Sequence, residues 1–117
     1  MPRKKSAGGQ LRDHLNAALK EAGEEVGKTL EWTHQETIAI ERAVTTADRA
    51  EVIRDRFNTL AADPETPASL LNQLSAELRL LDRQVVDLAA QVSPDPGPQK
   101  SYRHQKAANT RWGRSHV

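Results

Sequence analysis

Between Leu71 and Val92 an apolar residue recurs at alternating intervals of three and four: Leu71, Leu74, Leu78, Leu81, Val85, Leu88 and Val92. An α-helix completes a turn in about 3.6 residues, so this alternation places all seven on one stripe. The stripe is an a/d seam of coiled-coil type, and it predicts a helix packed lengthwise on another helix. Leu70, Leu80, Val86 and Ala89 lie beside it and widen the apolar surface. One partner helix covers a seam but not this extra width. The pattern therefore predicts an antiparallel helical hairpin with apolar surface left over for neighbouring copies. The seven seam residues are the candidate oligomerisation surface. A closed monomeric three-helix bundle is the alternative.

The partner helix is legible just upstream. Thr33 and Glu36 have capping-box spacing, in which the Thr hydroxyl accepts a backbone N–H three residues on and the Glu reaches back. Ile40, Val44, Ala47, Ile53, Phe57 and Leu60 then recur with helical period, and neither Gly nor Pro intervenes before Pro64. One helix of about 27 residues, roughly 40 Å long, is the simple reading. In the connection, Thr66 is placed to cap the next helix and Pro67 to open it, where a missing N–H costs nothing. Trp32, just before the cap, is expected to pack at the entrance of this helix.

Earlier still, Leu11, Leu15, Ala18, Leu19 and Ala22 share a face of a short helix, which Gly23 and Gly27 are expected to end. The organisation that follows is all-α. Residues 1–9 form a flexible basic arm and residues 10–92 a helical oligomerisation domain, with the hairpin at about 34–62 and 67–92. Residues 93–99, "SPDPGPQ", are a Pro-rich linker, and residues 100–117 a basic tail. Ala107, Ala108 and Trp112 are spaced for one face of a short helix within that tail.

Charge is sharply segregated along this layout. The chain carries 17 Lys/Arg and 16 Asp/Glu, and every acid lies between Asp13 and Asp95. The last eighteen residues hold Lys100, Arg103, Lys106, Arg111 and Arg114 without one acid, and the first twelve hold Arg3, Lys4, Lys5 and Arg12. An acidic body with two basic ends points to ends that meet a polyanion. Two solvated termini are the plainer explanation. Trp112 lies between Arg111 and Gly113 with Arg114 next, and an aromatic among cations suits docking on a protein groove or a nucleic acid.

Several chemistries are disfavoured. There is no Cys, so disulfides and thiolate metal sites are excluded. The four His are scattered and form no ligand pair, and no metal or other cofactor is expected. No apolar run approaches the roughly 18 residues that suggest a span, and no signal peptide is visible, so a cytoplasmic protein is expected. "AGEEVGKT", Ala22 to Thr29, imitates a relaxed phosphate loop. It follows a helical pattern rather than a strand, and Glu24 and Glu25 would repel the phosphates. Nothing resembles a nucleophile turn, and no catalytic constellation is found.

The segment "LEWTHQE", the helix "LLNQLSAELRLLDRQVVDLAAQV" and, after the Pro-rich break, "QKAANTRW" together resemble the small terminase subunits of tailed bacteriophages, in particular actinobacterial phages. The resemblance covers roughly residues 30–112 and is strongest in "LSAELRLLDRQVVDL" and "KAANTRW". It implies a non-enzymatic DNA-packaging factor in the host cytoplasm. Such a protein forms a ring, binds viral double-stranded DNA, and recruits and regulates a large subunit with ATPase and nuclease activities. Many relatives carry an N-terminal helix-turn-helix, and no second helix at tight-turn spacing is found here. On charge grounds, Arg3, Lys4, Lys5, Lys100, Arg103, Lys106, Arg111 and Arg114 are then the candidate DNA contacts, with Trp112 as a candidate partner-docking residue. A scaffolding or head-assembly protein, whose tail binds protein, and a small dimeric DNA-binding regulator are the alternatives.

Overall fold

The structure, a computed structural model, describes residues 4–94 and the backbone of residues 101–102. It is all-α: α1 spans Ala7–Val26, α2 His34–Ala61 and α3 Ala68–Ala89. A two-residue strand β1, Leu30–Glu31, pairs antiparallel with β2, Ser101–Tyr102, with Leu30 opposite Tyr102. No helix among the described residues is long and apolar enough to cross a membrane.

The centre of the molecule is α2. Both other helices pack on it, and α1 and α3 do not pack on each other. The arrangement is therefore a hairpin with a third helix against its first arm, not a closed bundle. Small side chains make close packing possible. Ala39, Ile40, Ala43, Val44, Ala47 and Ala50 are the buried residues of α2, and Ala43 is 0% exposed. Ile53, Phe57 and Leu60, expected on the same core face, are only half-buried. The reason is coverage: α1 begins beside Val44 and Asp48, so the last turns of α2 have α3 alone against them.

The start of α1 corrects the expected arm. The helix begins at Ala7, not after Gly9, because each orphan N–H of its first turn finds an acceptor. Ala7 N–H donates to Glu51 Oε1 at 3.1 Å, Gly8 N–H to Asp48 Oδ1 at 2.7 Å, and Gly9 N–H to Ser6 Oγ at 3.1 Å. Two carboxylates of α2 thus clasp the positive end of α1. Gly8 is required there, since a Cβ on it would fall on the Val44 carbonyl oxygen. Gly23 does not end the helix but lies inside it, buried against the Lys28 carbonyl. Gly27 ends it with φ 68°. Its N–H reaches Glu24 O, and Lys28 N–H reaches Gly23 O at 2.9 Å, the two bonds of a Schellman cap.

The capping box at α2 forms as its spacing predicts. Glu36 N–H donates to Thr33 Oγ1 at 3.1 Å, and Thr33 N–H to Glu36 Oε1 at 3.0 Å. The second oxygen of Glu36 accepts from Ser93 N–H at 2.9 Å, which fastens the end of the hairpin to its beginning. Thr66 does not cap α3. Its hydroxyl donates to Leu60 O at 2.7 Å and so closes α2, while Pro67 takes the N-cap position of α3 without a side-chain bond. Trp32 packs with Leu15 against Ala39, Ile40, Val44 and Val92, and its indole N–H donates to Asn16 Oδ1 at 2.9 Å.

Candidate functional site

The seam is occupied within the chain. Leu74, Leu81 and Val92 are buried, and Leu71, Leu78, Val85 and Leu88 half-buried. Among the described residues α2 is the only element that packs on α3, so it is α2 that covers the stripe, with Leu15 and Trp32 packed at Val92. Within one chain, then, the stripe lies against α2 and makes the hairpin. Leu80 and Val86 do remain outside, at 64% and 63% exposure. They stand six residues apart, about 120° round the helix from one another, and do not form a second seam.

The candidate DNA contacts fall into three groups. Lys4 is exposed and has no ion pair among the described residues. Lys5 is exposed but paired with Asp13, and Arg12 is paired with Glu41 at 2.7 Å, so the basic N-terminal segment partly neutralises acids of its own body. Arg3, Lys100, Arg103, Lys106, Arg111, Arg114 and the docking candidate Trp112 lie outside the described residues, as does the expected tail helix. The strand pair places residues 101–102 beside β1, in the connection between α1 and α2.

An open groove of about 660 Å³ lies between α2 and α3. Glu41, Thr45, Thr46 and Asp87 bring oxygen atoms to it, and Arg42 lies in the same wall. Both carboxylates are engaged, Glu41 by Arg12 and Asp87 by Arg83 at 3.4 Å. No group of His, Cys, Asp or Glu suited to a metal ion occurs among the described residues. "AGEEVGKT" makes up the last turn of α1 and its cap. A phosphate loop precedes a helix and uses its positive end, whereas this segment surrounds the negative end.

Position along the sequence did not single out one further set of cations. Arg42, Arg49 and Arg56 are exposed, recur every seven residues on α2, and have no ion pair among the described residues. Their heptad spacing was the signal that could have found them, but it is hidden by the acids interleaved in the sequence. Comparison with protein-family models, with curated proteins and with solved structures found no match. Fold and surface define a small all-helical protein whose distinguishing features are charge and exposed helix faces.

Proposed function

We propose that this chain is a non-catalytic small terminase subunit, which assembles as a homo-oligomeric ring in the host cytoplasm, binds viral double-stranded DNA and recruits the large ATPase-nuclease subunit. The observation that carries the reading is the acid-free basic tail, Lys100 to Val117, attached to an acidic helical hairpin. The resemblance of "LSAELRLLDRQVVDL" and "KAANTRW" to that family supports it. Weakly binding tails repeated around a ring gain avidity through effective concentration. The neighbourhood of Trp112 favours one alternative, a scaffolding or assembly protein whose tail docks on protein.

The test is a truncation after Tyr102, which keeps the β1–β2 pair and removes four of the tail's five Lys/Arg. Each phosphate contact on duplex DNA contributes about −0.9 to the slope of log K against log salt. Roughly three contacts per engaged tail give a slope near −3, and the truncation should remove most of it. Unchanged DNA binding together with lost association to the large subunit would make the tail a protein-docking arm.

A further inference from the structure

Arg42, Arg49 and Arg56 belong to a longer pattern. Ile38, Thr45, Val52 and Thr59 alternate with them, so that from residue 38 to residue 59 the intervals run four, three, four, three, four, three. This is a second heptad stripe, with Arg at one position and a β-branched residue at the other. All seven are exposed, Ile38 at 47% and Val52 at 64%. It extends about 31 Å, with successive arginines about 10 Å apart. The acids of α2 are directed elsewhere. Glu41 pairs with Arg12, Asp48 and Glu51 hold the first turn of α1, and Glu36 serves the capping box. Asp55, three residues after Val52 and four before Thr59, stands at the edge of the stripe.

A matching surface occurs on the same chain. The side of α1 opposite Leu15 and Leu19 carries Gln10, His14, Ala17, Glu21 and Glu24, all exposed and again at intervals of four and three. Glu21, Glu24 and the adjacent Glu25 have no ion pair among the described residues, and Val26 beside them is 45% exposed. The chain thus presents a cationic helix stripe with two aliphatic and two Thr side chains, and an acidic helix stripe with an aliphatic end. They lie on different helices of one copy, and no ion pair among the described residues joins them. We infer that the α2 stripe is the docking surface for α1 of a second copy, with Glu21 and Glu24 set between the arginines. Single exposed ion pairs contribute little, but several pairs flanking apolar contacts at heptad spacing give register and partner choice. The contact is head-to-tail, which closes into a ring or runs on as a filament. It rests on the homo-oligomer part of the proposed function and lies on a different surface from the Leu71–Val92 seam. An anionic nucleic acid would use the arginines and the Thr45 and Thr59 hydroxyls but gains nothing from the exposed Ile38 and Val52.

Charge reversal in both stripes tests this with the full chain. The variants are R42E/R49E/R56E, E21R/E24R, and all five changes together. All five side chains are exposed, and far-UV circular dichroism establishes that helix content is kept. Sedimentation velocity at tens of micromolar and low salt should show self-association of the wild type, weakened by salt. Either reversal alone should raise the dissociation constant at least tenfold. An equimolar mixture of the two reversed proteins should associate again, as should the five-fold variant, because the charges are complementary once more. Wild-type protein that stays monomeric overturns the proposal and the ring together. Self-association that survives both reversals keeps the ring and overturns the stripe. If the arginine reversal abolishes duplex-DNA binding without touching self-association, the stripe is a nucleic-acid face and the inference is wrong.

Discussion

Gly8 and Gly9 look alike in the sequence and do different work in the fold. At Gly8 a Cβ would collide with the Val44 carbonyl, displace α1 and strain the bonds to Asp48 and Glu51. Hydrogen bonds to charged acceptors contribute about 1.5–3 kcal/mol each, so Gly8→Ala is expected to cost about 2–3 kcal/mol. At Gly9 the new methyl group would meet only Ser6 Oγ at 3.4 Å and Lys5 Cβ at 3.6 Å, which is ordinary contact. Relief of glycine's entropy cost in a helix then predicts a gain of up to about 1 kcal/mol for Gly9→Ala. Urea denaturation of the two variants should give midpoint shifts of opposite sign. A Gly8→Ala variant stabilised as Gly9→Ala is would mean that α1 does not sit on α2 at Gly8. The pair also shows where sequence reading stops. Adjacent glycines resemble a loop, and only carboxylates some forty residues away make them a helix start. Thr33 and Glu36, by contrast, were readable because both halves of the capping box are local.

Among the elements, α3 was the most legible and α1 the least. Every residue of the Leu71–Val92 stripe turns inward, since heptad spacing specifies a buried face whatever the partner is. Spacing does not say whether that partner is the same chain or another. Leu81 and Leu80 separate the two cases. Leu81 is 7% exposed against α2, and Leu81→Asp leaves a carboxylate without a partner in the hairpin, a cost of several kcal/mol. Thermal unfolding followed by circular dichroism should show helix loss, not merely a smaller particle. Leu80, at 64% exposure, should accept Asp with a change within about 0.5 kcal/mol. A folded Leu81→Asp monomer would restore the seam to the space between copies.

At the scale of the whole molecule, the order α1–α2–α3 makes α1 separable. Its buried residues are Gly8, Leu19 and Gly23, and it has no contact with α3. Proteins open in cooperative units of unequal stability. Native-state hydrogen exchange should therefore find α1 opening at lower free energy than amides near Ala43 and Leu81. Asp48→Ala, which removes the acceptor for Gly8 N–H, should lower protection in α1 while α3 keeps its own. Equal loss in both helices would make the fold a single unit. A last consequence concerns tension. Residues 101–102 are bonded to β1, and Ser93 to Glu36 at the base of α2. A pull applied at residue 102 therefore loads β1, in the connection between α1 and α2, and one at Ser93 loads the capping box of α2. Force would enter the body at the foot of its central helix.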